Sequence, residues 1–134
     1  MLQKFAPLLG RILLALIFIF AGFHKLTGFE GTAGYIASHG LPMPQVLLAA
    51  TIVIELIGGL MILIGWQARI AAAAIFLFLI PATWVFHAFW NVNPADAMLL
   101  QNQTNHFMKN LAIMGGMLYI FAYGAGPCSL QKSP

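Results

Sequence analysis

The sequence predicts an all-α protein: a bundle of four transmembrane helices forming a single integral membrane domain over residues 1–134. Hydrophobic residues make up 61% of the chain and charged residues only 7%, whereas a soluble domain carries about 25% charged residues. Four stretches of the sequence are about 20 apolar residues long, which is the length that crosses a bilayer as a helix. The short alternating segments typical of a membrane β-barrel are missing from the sequence.

The predicted spans run over about residues 7–23, 46–65, 70–90 and 106–124. The first span has basic residues before an apolar run, as a signal peptide does. However, Ala21, Gly22 and Phe23 offer no small-x-small cleavage site, so we expect the span to be retained. The second span contains one charged residue, Glu55, and the third contains Pro81, which is expected to kink it.

The two predicted outer loops, residues 24–45 and 91–105, are longer than the turn at residues 67–68. Within the first outer loop, residues 31–39 are predicted to form a short interfacial helix on the membrane surface, with Tyr35 and Ile36 facing lipid. The second outer loop is rich in Asn and Gln, and we expect it to be mobile.

The basic residues predict the orientation of the chain, because Lys and Arg concentrate on the cytoplasmic side. In the four-span arrangement, one side holds Lys4, Arg11, Arg69 and Lys132, and the other holds Lys25 and Lys109. Both termini are therefore predicted to be cytoplasmic. The single cysteine, Cys128, would be a free thiol there. Because the basic residues are scattered singly, no nucleic-acid partner is expected.

Glu55 is the most informative position of the sequence. It lies roughly 13 Å from the outer end of its span at 1.5 Å per residue, close to the bilayer midplane. Because an ionised carboxylate in hydrocarbon is costly unless it is paired or protonated, and because Gly58 and Gly59 share its helix face, we expect Glu55 to point into the bundle. Two interpretations remain open: a proton carrier or ligand anchor, and a structural pair that holds two helices together.

The partner of Glu55 is predicted from side-chain direction. A seam on the first span has a cationic residue at each end: Arg11, Ala15, Phe18, Gly22 and Lys25. Helical side chains lean towards the N-terminus of their helix. That direction favours Lys109 over Arg11 as the positive group nearest to Glu55, with Asn110 or water between them. Arg11 itself is expected to extend to the lipid headgroups.

All four histidines fall on the predicted outer side: His24, His39, His87 and His106. His24 with Lys25 ends the first span, His87 ends the third, and His106 opens the fourth. Three helices thus bring proton donors to one level, which suits a quinone pocket. The alternative is that these histidines line a hydrated interface, and His39 is interpreted as a loop residue. No metal site is predicted, because no H-x-x-H or H-x-x-x-H spacing occurs.

The order and spacing of several motifs make the sequence resemble the DoxX family. The motifs are Ala21–Leu26, Gly40–Pro42, Glu55–Leu60, Phe86–Phe89, Lys109–Ala112 and the tail Gly124–Leu130. Gln131 stands where the family usually has Asp. The resemblance implies a four-helix bacterial inner-membrane protein, with relatives that include a subunit of a thiosulfate:quinone oxidoreductase and proteins linked to oxidative-stress complexes. It implies no catalytic residue.

The leading hypothesis for function is a redox-associated membrane protein that binds a quinone-like or other small lipophilic ligand, or that anchors a soluble oxidoreductase. Glu55, His87, His106 and Lys109 would line its pocket. The alternatives are a proton-coupled small-molecule transporter that uses Glu55, and a membrane scaffold or chaperone without ligand chemistry. Besides lipid, the sequence leaves open a soluble oxidoreductase, another membrane subunit or a second copy of the chain as partner.

Overall fold

A computed structural model describes residues 1–130, which form helices joined by short connections. The helices are α1 (Leu2–Thr27), α2 (Phe29–Ser38), α3 (Pro44–Ile64), α4 (Ala68–Phe86) and α5 (Ala97–Tyr123), with a 3-10 turn at Phe89–Asn91. The all-helical class predicted from the sequence is confirmed for these residues. Gln131 and Lys132, which entered the sequence argument, lie outside the described residues.

Three segments within residues 1–130 are long and apolar enough to cross a membrane: Leu2–Thr27, Pro44–Ile64 and Ala68–Asn91. The predicted fourth span lies inside α5, and a fourth crossing stays a prediction. The expectation that residues 91–105 form a mobile loop is wrong for most of that segment, because α5 already begins at Ala97. The side chain of Asp96 accepts a hydrogen bond from the backbone N–H of Leu99 at 3.2 Å and so caps the helix there.

The short helix predicted in the first outer loop is present as α2. Its Ile36 is buried together with Ala33, Leu48 and Ile52, so the expectation that Ile36 faces lipid is wrong. The reason is that α2 folds back on the start of α3, which a local hydropathy pattern does not reveal. Tyr35 stays exposed over about half of its surface (51%).

Helices α1 and α3 pack along the seam predicted on the first span. Arg11, Ala15, Phe18 and Gly22 are buried. A Cβ atom on Gly22 would lie 2.9 Å from Cβ of Leu56 and 3.0 Å from its backbone nitrogen. The close approach that small residues permit between membrane helices therefore occurs at Gly22.

We predict that Gly22→Ala destabilises the protein by about 1 to 3 kcal/mol, because the added methyl group would have to displace the backbone of α3. Unfolding by a denaturing detergent, followed by circular dichroism, measures this. Gly115→Ala is the matched control, because nothing lies within 4 Å of a Cβ there. Equal stability of the two variants would contradict the proposed packing.

Arg11 is buried, with 2% of its surface exposed, so the expectation that it reaches the lipid headgroups is wrong. Its guanidinium donates to the backbone oxygens of Ile62 (3.1 Å) and Leu63 (3.2 Å) at the end of α3. It also donates to those of Pro127 (3.4 Å) and Cys128 (2.9 Å) in the tail. Two carbonyls in the last turn of α3, where a helix has more acceptors than donors of its own, and two carbonyls of the tail therefore hold Arg11 inside the protein.

The turn that follows α3 also packs against Arg11 and the tail. Gly65 has a φ of 73°, and a Cβ atom there would lie 2.6 Å from an Nη atom of Arg11. The backbone N–H of Leu130 donates to the carbonyl of Ile64 at 3.0 Å. We call this assembly of Arg11, residues 62–65 and residues 127–130 the Arg11 clasp. The interior between the clasp and the middle of the bundle is closely packed by fully buried side chains: Ile62, Ala72, Ile75 and Met117.

Candidate functional site

A cavity of about 410 Å³ lies at the opposite end of the bundle, where α1 ends. All five helices contribute to it. Its apolar walls include Ile17, Phe18, Ala21, Phe78, Leu79 and Ile113, and its polar groups are Lys25, Thr32, Thr51, Glu55, His87, His106, Lys109 and Asn110. Its volume is within the range of about 300 to 1,000 Å³ that small-molecule sites occupy.

An ion pair joins α1 to α3 in the cavity wall. Nζ of Lys25 lies 2.7 Å from Oε1 of Glu55, and the side chain of Glu55 is 7% exposed while that of Lys25 is 30% exposed. The predicted partner, Lys109, is therefore wrong, although it lines the same cavity. Lys25 continues the buried seam of α1 and faces α3 directly, whereas Lys109 lies exposed at the cavity edge. Within residues 1–130, no other donor forms a hydrogen bond to Glu55.

The backbone around Glu55 is unusual. Residues Val53–Ile57 form a π-helical turn between two α-helical parts of α3. Such turns insert one extra residue into a helix and are frequent at functional sites. The sequence contains no signal for this turn, because the residues on either side of Glu55 are ordinary for a membrane helix and a single Glu does not specify a π-helical turn.

Two histidines stack on one side of the cavity. The rings of His87 and His106 lie 4.9 Å apart, with 17° between their planes. Nε2 of Gln103 donates to the carbonyl of Phe86 at 3.0 Å, and Oε1 of Gln103 lies 2.9 Å from Nδ1 of His87. Because this amide oxygen can only accept, Nδ1 of His87 must carry a proton. In the neutral ring, Nε2 of His87 is then an acceptor.

Asn110 is held in place next to these histidines. Its Nδ2 donates to Oγ1 of Thr83 at 2.9 Å, and Thr83 is buried. An amide has two donor hydrogens and a carbonyl oxygen, so this contact leaves further hydrogen-bonding capacity on a side chain that lines the cavity.

Aromatic rings from α2 and α4 meet above the cavity. The rings of Tyr35 and Phe86 stack with centroids 5.5 Å apart, and that of His39 lies 4.7 Å from both. His39, interpreted from the sequence as a loop residue, therefore belongs to an aromatic cluster that includes two cavity residues.

The structure brings together six of the seven candidate residues around one cavity: Lys25, Glu55, His87, His106, Lys109 and Asn110. The seventh, His24, is exposed and does not line it. Sequence reasoning missed Tyr35, Phe86 and Gln103. Gln103 lies one helical turn before His106. A prediction that begins the helix after Asp96 would place both residues on the same helix face. No group of three or more metal-ligating side chains occurs in the described part of the chain.

Comparison with known proteins adds the family. Residues 6–88, more than half of the chain, match the family model for DoxX. The chain belongs to the DoxX family. The match covers Lys25, Glu55 and His87 but ends before α5.

Two relatives extend the similarity of this DoxX chain over α5. Inner membrane protein YphA of Escherichia coli is 34% identical over 93% of this chain and 87% of its own length. Inner membrane protein YqjF of the same organism is 34% identical over 98% and 93%. A Bacillus subtilis protein named "Putative oxidoreductase CatD" is 39% identical over 59% of this chain and 58% of its own. No solved structure matches. The DoxX chain is thus similar along nearly its whole length to inner membrane proteins.

Proposed function

We propose that this DoxX protein crosses the inner membrane four times, with both termini in the cytoplasm, and binds a small quinone-like lipophile in the cavity at the Lys25 end. The observation that supports binding is the division of the cavity into apolar walls and a few convergent polar groups, among them a buried ion pair. This combination is typical of small-molecule sites.

The fourth crossing is supported by the distribution of polarity along α5. Its first turns, residues 97–105, carry most of its Asn and Gln residues, whereas residues 106–124 are largely apolar. That apolar part has about the length that a membrane helix needs. In the four-span arrangement, more Lys and Arg residues fall on the side of the two termini than on the side of the cavity, which supports cytoplasmic termini.

A quinone suits the cavity because its ring is flat and apolar and its oxygens accept hydrogen bonds. Lys25, Lys109 and Asn110 supply donors, and Phe18, Phe78 and Phe86 supply apolar and aromatic surface. A redox role is supported further by the name of the B. subtilis relative. Anchoring a soluble oxidoreductase is compatible with the same pocket and would supply the electrons that a membrane helix bundle lacks.

Transport is less well supported than binding. A transporter needs alternating access from Glu55 to both faces of the membrane. In the direction of the Arg11 clasp the interior is filled by side chains with no exposed surface, such as Ile62, Ile75 and Met117. Among residues 1–130, these side chains leave the cavity no path towards the Arg11 clasp.

We predict that Glu55→Gln preserves folding but reduces the amount of ligand that copurifies with the protein at least about tenfold, because Lys25 is no longer held in the cavity wall and its charge-assisted contact with the ligand is lost. Mass spectrometry and visible absorption of protein purified in an uncharged detergent measure retention. Glu30→Gln, an exposed position on α2 outside the cavity, is the matched control. Ligand retention equal to that of the wild type in the Glu55 variant would sink the pocket hypothesis.

A further inference from the structure

The charges in the cavity do not balance. Lys25 and Glu55 neutralise each other at 2.7 Å, but Lys109 lines the same cavity and no carboxylate of residues 1–130 forms an ion pair with it. With neutral histidines, the cavity therefore has one excess positive charge. An ammonium group close to hydrocarbon is costly without a counter-charge.

Lys109 lies at the edge of the cavity between α1 and α5, where a ligand could enter. Lys109 and His106 are exposed on α5, and Ile17 is exposed on α1 across the cavity (39%). Further along, the two helices approach each other closely, and a Cβ atom on Gly116 would lie 3.1 Å from a methyl carbon of Leu14. The cavity thus has an edge between α1 and α5 that combines apolar surface with a cation.

We propose that the ligand of this cavity carries a single anionic group, which binds Nζ of Lys109, on an apolar body that enters between α1 and α5. This inference rests on the proposed function and specifies the chemical class of the ligand. Asn110, one residue further along α5 and held by Thr83, provides a neighbouring donor for the same group. The ion pair between Lys25 and Glu55 stays intact, because the anion has a cation of its own.

The test uses three probes that share one alkyl chain: dodecanol, dodecanoate and dodecyl phosphate. Apparent dissociation constants are measured by native mass spectrometry of the full chain in nanodiscs of zwitterionic lipid, at alkaline pH so that the acid is ionised. We expect an anionic probe to bind the wild type at least about tenfold more tightly than dodecanol, as one charge-assisted contact provides. A preference for dodecanoate indicates a fatty-acid-type ligand, and a preference for dodecyl phosphate indicates a lipid phosphate.

Lys109→Gln should abolish the advantage of the anionic probe and leave dodecanol binding unchanged. Lys4→Gln, the same charge change at an exposed position outside the cavity, should retain it. Equal binding of alcohol and anion to the wild type, as expected if Lys109 only extends to the headgroups, overturns the anion inference and leaves the proposed function standing. An equal loss in both variants also overturns it, since only surface attraction would then be at work. Binding of none of the probes also overturns the anion inference, whereas the proposed function is decided separately by ligand retention in the Glu55→Gln variant.

Discussion

Arg11→Ala is expected to lower the free energy of unfolding by about 3 kcal/mol or more, one of the two largest effects of any single substitution considered. Arg11 donates to four backbone carbonyls and is almost fully buried. Each buried acceptor that loses its donor costs about 1 to 3 kcal/mol, and relaxation of the tail recovers part of the total. The favourable interaction of the cation with the C-terminal end of α3 is lost as well.

Unfolding of the purified protein by a denaturing detergent measures this loss. Arg69→Ala, at the chain's other arginine, is the control, and we expect it to change stability little because its side chain donates no hydrogen bond to any of residues 1–130. Arg11→Lys should recover less than half of the loss, because an ammonium group carries three donors on one nitrogen, whereas the two Nη atoms of the guanidinium each serve a different chain segment. If Arg11→Ala and Arg69→Ala are equally stable, the clasp does not stabilise the fold.

The Arg11 clasp also explains where sequence reasoning succeeded and where it failed. The seam of α1 was predictable, because Arg11, Ala15, Phe18 and Gly22 recur at helical spacing. The partners of the cationic residues at its two ends, Arg11 and Lys25, were not predictable, because they depend on which residues lie across the helix interface. Arg11 donates to carbonyls at the C-terminal end of α3, and Lys25 forms an ion pair with Glu55.

The candidate site was predictable to a similar degree. Charged residues and histidines are so rare in this chain that Glu55, His87 and Lys109 stand out by residue type alone. The topology of a helical bundle then brings the helix ends that carry His87 and Lys109 to one level. Tyr35 and Gln103 could not be found in this way. Tyr35 reaches the cavity because α2 folds back on α3. Gln103 contacts His87 because α5, capped by Asp96, extends as a helix into a stretch with loop-like composition.

Substitutions in the ion pair of Lys25 and Glu55 are expected to have the second large effect on the free energy of unfolding. The single substitutions at the two positions should differ in size. Lys25→Met should cost roughly 3 kcal/mol, the lower end of what breaking a buried pair costs, because the carboxylate of Glu55, whose side chain is only 7% exposed, is left without a counter-charge. Glu55→Gln should cost less, because the side chain of Lys25 is 30% exposed and its flexible stem can carry the ammonium group to the interface.

The double substitution Lys25→Met with Glu55→Met separates the structural from the functional interpretation of this pair. Apolar residues of similar volume often replace a buried ion pair without loss of stability, so the double variant should unfold at about the same denaturant concentration as the wild type. If the pair serves only to hold α1 against α3, this variant should also retain the copurifying ligand. If the pair anchors the ligand, the double variant should be as stable as the wild type but should not retain the copurifying ligand. We expect the second result, because the carboxylate faces a cavity lined by hydrogen-bond donors and lies in a π-helical turn, a local distortion that close packing of two helices does not require.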